Sequence, residues 1–357
     1  MDRSYSVSIM YILSHTGLIL FMYPADIIES TNQGHWIPIM IGVIVHFIIL
    51  SLFLRGLNSF PDKDIISIYL KKGKFIASIF LFPLFLYLLM AGIITVRSYS
   101  EIVTIVFLSK TPLWAIMSLF LILASYTAAQ GIDGIIRTGV FLFLLLFPLL
   151  FFIMLTSFQN VDWRYVHPLM LKDFSFLKKS SYYRSYFAIG GVFLFLGYLP
   201  STIPVKKKSI LFAALLIAPI FFLSVYIPIL TFGQATAPHF LFPFVMVVDA
   251  VNLIWFMFDR FTMFFLLSVV IFILLFLSLV LWMLTTTLTK TIVPSIKPVY
   301  LIMVISVIIF TISLLISDWK GIEMLFQWNT YIRFYVILGI PFSIFLLGLI
   351  EERGQGA

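Results

Sequence analysis

The sequence predicts an all-α polytopic membrane protein with ten transmembrane helices. Three observations carry this expectation. Of 357 residues, 62% are hydrophobic and only 11% are charged, with a mean hydropathy of +1.13, whereas a soluble domain needs about 25% charged residues to face water. The apolar residues come in runs of about 20, the length that spans a hydrocarbon core of about 30 Å. The runs are continuous rather than alternating, which excludes an outer-membrane barrel and leaves helices, the form that satisfies its own backbone groups in lipid.

The predicted spans lie at 7–29, 35–56, 75–107, 112–130, 135–157, 184–203, 209–232, 261–288, 298–316 and 332–350. The loops at 158–183 and 233–260 are too short for an independent core, so residues 1–357 read as a single transmembrane domain. Met1-Asp2-Arg3 leads into an apolar run without a small-residue cleavage site and reads as the start of the first span rather than a removable signal. Lys and Arg set the orientation. With the N-terminus inside, the inner loops hold thirteen of them, including Lys71, Lys72 and Lys206 to Lys208, against eight outside, including Arg164, Lys172, Arg184 and Arg333. Both termini are therefore expected to be cytoplasmic.

Span 1 is interrupted by Ser14-His15-Thr16-Gly17 and again by Pro24, and span 6 by Gly190-Gly191, Gly197 and Pro200. Interrupted spans five helices apart are the pattern of two inverted five-helix repeats, here 1–158 and 184–350, with a binding site between the broken helices. Gly and Pro also occur in membrane helices simply for close packing. Where a helix unwinds, one half offers backbone donors to a carboxylate and the other offers acceptors to an ammonium group, so a zwitterion such as an amino acid suits the gap.

On span 3, Arg97 and Glu101 stand four residues apart on one helical face and are expected to form a structural ion pair. Span counting places them in its outer third, where such a pair would tie this helix to its neighbours. The chain has no cysteine, which excludes disulfides, iron–sulfur clusters and thiolate metal sites. Its five histidines are scattered at 15, 35, 46, 167 and 239, and no nucleophile–base pairing is visible. Neither an enzyme nor a cofactor or metal site is expected. The formal charge of +8 lies in short loops, where it sets topology rather than binding nucleic acid. His15 titrates near neutrality when solvated, but a lone histidine in a span is more often a packing residue.

One ordered series of residues resembles a known family. It runs Pro24, Phe60-Pro61, Tyr69, Arg97, Glu101, Thr111-Pro112, Gly131-Ile132-Asp133 with Arg137, Asp162 with Pro168, and Lys206-Lys207-Lys208. The chain is similar over nearly its whole length to the B subunit of GerA-type spore germinant receptors, a branch of the amino acid–polyamine–organocation superfamily. The resemblance implies the fold of two inverted repeats with helices 1 and 6 broken. It also implies a nutrient-sensing role in the inner membrane of a bacterial spore, and the partners expected are a large membrane A subunit and a lipoprotein C subunit. Family ligands are usually amino acids, sometimes sugars or nucleosides.

The resemblance further implies a set of ligand-facing residues. Gly17, with Thr16 beside it, matches the small residue of the helix 1 break, and Tyr87 matches a pocket-facing tyrosine, with Ala91 one turn further on. Phe195-Leu196-Gly197-Tyr198 is similar to the unwound segment of helix 6, although Leu199 and Pro200 stand where relatives commonly have an acidic residue. Helix 8 is expected to start near Phe258-Asp259-Arg260-Phe261, which places Phe276 and Val280 toward the pocket. That apolar lining favours a larger hydrophobic ligand side chain. Ordinary packing is the competing reading at each position. A cation-coupled permease is the alternative function, but helix 5 is uncharged between Gly139 and Gln159, and only His15 and Glu101 are candidate coupling groups. A channel is disfavoured because no charged pore ring is visible.

Overall fold

The computed structural model describes residues 3–170, 173–190, 192–251 and 261–355. These are helical or loop, with no strand among them. The helices are α1 (Arg3–Ile19), α2 (Tyr23–Ser30), α3 (Trp36–Asn58), α4 (Ile65–Lys71), α5 (Lys74–Val106), α6 (Leu113–Ala129) and α7 (Gly131–Thr156), followed by α8 (Ser180–Gly190), α9 (Lys207–Phe232), α10 (Pro243–Asp249), α11 (Phe261–Thr291), α12 (Pro298–Leu315) and α13 (Trp319–Gln355). Met1, Asp2, Lys172, Gly191 and the Phe258-Asp259-Arg260 element expected to open helix 8 lie outside the described residues; Phe261 begins α11.

Seven of the described helices are long and apolar enough to cross a membrane, and the pair α1–α2, bent by 54°, makes an eighth span if taken as one. α11 is the central helix. In its apolar window 78% of the residues are buried inside protein, against 28% for α7 and α12, whose outer faces are apolar and uncovered. Around α11 pack α1, α5, α6, α7 and α12, while α13 lies along α3 and α5. The α3–α13 seam is tight: a methyl group at Gly56 would lie 2.6 Å from the Phe345 amide nitrogen. Only a residue without Cβ permits that approach, the small-residue packing common between membrane helices.

The first break differs in place from expectation. α1 stays helical through Ser14, His15, Thr16 and Gly17 and ends only at Ile19. The polar side chains there bond back into their own helix: Ser14 Oγ to the Tyr11 carbonyl at 3.1 Å, His15 Nδ1 to the same carbonyl at 2.8 Å, and Thr16 Oγ1 to the Ile12 carbonyl at 2.8 Å. Bonded to carbonyls of their own helix, they need no unwinding. The bend falls at Leu20–Met22 because Pro24 follows in the first turn of α2. Proline has no N–H to continue α1, and its ring clashes with the carbonyl four residues back. Near the second break, α8 ends at Gly190, and Phe193–Tyr198 forms a tighter 3-10 turn.

The last span also differs. α13 begins at Trp319, thirteen residues before the expected start of the span at 332, so Arg333 lies well inside the helix, fully buried, rather than at the outer edge of the span. At one end of the bundle the described chain ends come together. Arg3 donates to the Thr202 carbonyl and Ser59 to Glu352, while Lys63, Lys71 and Lys72 surround Glu351. Asp64 caps α4 by accepting from the Ser67 amide at 3.0 Å and pairs with Lys290. In the loop after α7, hydrogen bonds from the Arg164 guanidinium and amide hold the Asp162 carboxyl below the usual carboxylate range.

Candidate functional site

The break in α1–α2 exposes backbone groups that find protein partners. The last backbone bond of α1 runs from the Leu20 amide to the Thr16 carbonyl at 3.2 Å. The next carbonyl, that of Gly17, accepts from the Tyr99 hydroxyl of α5 at 2.8 Å. Phe21, inside the break, lies against the Tyr99 ring at 3.9 Å and stacks on Phe242 at 4.9 Å between centroids. Gly17 itself packs on α11: a methyl there would sit 3.1 Å from Phe272 Cβ and 3.3 Å from Ile273.

One turn along α11 from Phe272 is Phe276, whose ring is 6.2 Å from that of Phe187 on α8. Phe187 in turn meets Phe326 of α13 at 4.9 Å. The Arg333 guanidinium lies 5.1 Å from the Phe187 ring and 5.3 Å from that of Phe326. It donates to the Arg184 carbonyl at 2.9 Å and twice to Asn329 Oδ1, at 3.1 and 2.8 Å. Asn329 passes the link to α5 by donating to the Tyr87 carbonyl at 3.3 Å. Among the described residues Arg333 forms no ion pair with a carboxylate; carbonyls, an amide oxygen and two aromatic faces hold its charge. Val280 lies next along α11, 3.7 Å from where a methyl on Gly92 would be, directly after Ala91.

Thr16, Gly17, Tyr87, Ala91, Phe276 and Val280 are thus all buried and distributed around the same stretch of α11 and α13. Leu196 and Gly197 are not brought there. Gly197 packs against Phe53 and Ile65, where an added methyl would lie within 2.8 Å of Phe53 and 2.5 Å of Ile65. With Leu196 it lines a separate cavity of about 300 Å³, beside Pro61 and Lys63, the latter a partner of Glu351.

Above the cluster, toward the opposite end, is a cavity of about 220 Å³ lined by Asp26, Glu29, Arg184, His239, Glu323 and Phe326 among others. Phe326 is its floor and also a face of the Arg333 cage. Across this cavity Arg184 bonds Asp26 at 3.0 Å and Glu29 at 2.7 Å, tying α2 to α8. Arg97 pairs with Glu101, and its Nε donates to the Ile316 carbonyl at 3.0 Å, so it also caps the C-terminal end of α12. Sequence reasoning missed Tyr99, Asn329 and Arg333. The available signal was Asn329 and Arg333 at i and i+4, one face of a helix that extends well before residue 332.

Comparison with known proteins bears on the family and the fold. Over 233 residues the chain is 25% identical to the putative spore germination protein YfkT of Bacillus subtilis (strain 168), covering 64% of this chain and 63% of that one. It is 30% identical over 153 residues to spore germination protein YndE and 25% identical over 198 residues to spore germination protein B2, both of the same organism. Those matches cover 42% and 54% of this chain, and 40% and 53% of the relatives. The matched stretches span less than two thirds of any of these relatives. Among solved structures, MhsT in complex with L-phenylalanine superposes with a TM-score of 0.66 at 15% identity, covering 97% of this chain and 88% of that one. The profile of the spore germination protein family, the spore permeases, matches residues 3–350, and the chain belongs to that family.

Proposed function

We propose that this protein is the nutrient-sensing subunit of a spore germination receptor complex and binds an amino acid or similar small nutrient inside a transporter-like bundle. The observation that carries the reading is the bend of α1–α2 beside α11, with the buried Arg333 cage across α8 and α13. A break supplies backbone groups and a buried cation supplies a partner for a carboxylate, the two features that recognise an amino acid in a medium without water. The likeness to a fold solved with L-phenylalanine supports the same substrate class. Thr16, Gly17, Tyr87, Ala91, Phe276 and Val280 form the ligand surface in this reading. The apolar character of Phe276 and Val280 favours leucine, isoleucine or valine over alanine. Leu196 and Gly197 belong to the inner closure rather than to first contact.

The architecture that goes with this function is a single transmembrane domain of ten spans in two inverted repeats, 1–158 and 184–350, with the first and sixth spans broken. Its location is the inner membrane of the spore, with both termini cytoplasmic, next to an A subunit and a C lipoprotein. Ligand binding favours one of two bundle states by its differential affinity for them, worth about 1.4 kcal/mol per tenfold, and the A subunit reads the change. Deleting the gene in a spore former is expected to abolish germination with one nutrient and spare others; normal germination with every nutrient would refute the role. Amino acid permease is the second reading, favoured by the transporter-like fold. Gradient-driven uptake of an amino acid by the reconstituted protein would establish it.

A further inference from the structure

Halfway along α1, Tyr11 and His15 face His46 of α3 in a cluster that no ligand reading uses. All three side chains are buried. The rings of His15 and Tyr11 lie 4.2 Å apart, and those of His15 and His46 5.4 Å apart. A carbonyl only accepts, so His15 Nδ1, 2.8 Å from the Tyr11 carbonyl, carries the proton and Nε2 has the bare lone pair. Among the described residues that Nε2 has no hydrogen-bond partner. His46 is complete by contrast, with Nε2 bonded to the Tyr11 hydroxyl and a further bond to the Ile189 backbone next to the end of α8.

Both histidines stand twelve residues from the inner ends of their helices, Arg3 and Asn58, or roughly 18 Å at 1.5 Å per residue. That is close to the middle of a bilayer core. A buried acceptor without a donor is costly, and His15 is not the lone packing histidine of the sequence reading, because His46 and Tyr11 stand against it. The titratable groups that face His15 are Tyr11 on its own helix and His46 on α3. α7 meets this part of α1 through Gly139 against Met10 and Leu13, and α11 through Phe272 and Ile273 against Gly17. The charged groups of α7, α9 and α11, namely Asp133, Arg137, Lys207, Lys208 and Lys290, lie near helix ends. On α9 the remaining titratable group, Tyr226, is bonded to the Trp36 amide at 3.0 Å. On α8, Tyr182 and Tyr186 bond each other at 3.1 Å, and Arg184 is held by Asp26 and Glu29.

We propose that Nε2 of His15, supported by Tyr11 and His46, is a proton-binding site that takes up its proton when the bundle opens the cluster to water. An imidazolium needs water or a counter-charge around it, so proton uptake and opening are linked, and acid shifts the population toward the open state. The inference does not depend on which nutrient is bound.

The chain has no cysteine, so two spin labels can be placed without background. Asn32→Cys and Lys320→Cys, exposed at the outer end, carry the labels in the full chain in lipid nanodiscs. Their distance distribution is read by electron double resonance at pH 8 and pH 5. One distance at pH 8 and a second population at pH 5 are expected. His15→Asn keeps the Nδ1-type donor to Tyr11 and deletes Nε2, and it should hold the pH 8 distribution at both pH values. Where that variant fails to accumulate, His15→Gln, neutral at every pH, answers the same question. An unchanged wild-type distribution between pH 8 and 5, or a shift that persists in these variants, overturns the proposal.

Discussion

The Tyr99 hydroxyl donates to the Gly17 carbonyl across 2.8 Å, at the point where α1 stops being a helix. That bond joins α5 to the break and supplies the donor that the missing helical turn cannot. Tyr99→Phe keeps the ring against Phe21 and leaves the carbonyl without a donor in a buried place. An unsatisfied buried group costs about 1–3 kcal/mol. Thermal unfolding in detergent should show a clear drop for this variant; a midpoint equal to wild type would mean that the bond carries no net stability.

Arg97 has two tasks, pairing with Glu101 and capping α12 through the Ile316 carbonyl. Arg97→Ala strips both and leaves a carboxylate without its partner. Breaking such a buried pair costs about 3–5 kcal/mol. The variant should accumulate poorly in membranes, and normal accumulation with lost ligand affinity alone would place Arg97 in the binding site instead.

Arg184 holds α2 to α8 through Asp26 and Glu29. Arg184→Gln should loosen α2 locally rather than unfold the bundle. If about 3 kcal/mol is lost, hydrogen exchange of the α2 amides speeds up by roughly two orders of magnitude. Unchanged protection of residues 23–30 would show that α2 is held by packing.

The α3–α13 seam makes Gly56→Ala the sharpest steric test. The added methyl meets backbone of Ile344 and Phe345 at 2.6 to 2.8 Å, and backbone cannot swing aside as a side chain can. Overpacking of this kind costs about 1–3 kcal/mol. Gly339→Ala is the control, since its methyl meets only Phe80 at 3.9 Å and alanine is the better helix former. A lowered unfolding midpoint for the first and none for the second is expected.

Much of the fold was legible in the sequence because a membrane allows so few backbone forms. Runs of apolar residues located α3, α5, α6, α7, α9, α11 and α12 to within a few residues. The break in α1 was read in two places, and only the one at Pro24 is real. Pro24 acts through its missing N–H, which sequence shows directly, whereas Ser14, His15 and Thr16 turned out to bond their own helix. Arg333 was counted on the outer side, at the edge of a span expected to start at 332. Its charge is held by the Arg184 carbonyl, from a segment about 150 residues away, and by Asn329, a tertiary solution that no local window reveals. The grouping of Gly17, Tyr87, Ala91, Phe276 and Val280 around α11 and α13, with Leu196 and Gly197 apart, likewise depends on packing between distant helices.

The central claim is that this bundle binds a small nutrient, and ligand-induced thermal stabilisation of the purified protein tests it most directly. The panel comprises the twenty protein amino acids, hexoses and nucleosides. A ligand at one hundred times its Kd stabilises by about 2.7 kcal/mol. A saturable rise in unfolding midpoint with leucine, isoleucine or valine, larger than with alanine, is the expected result. A midpoint that no compound in the panel moves would contradict nutrient binding by this chain.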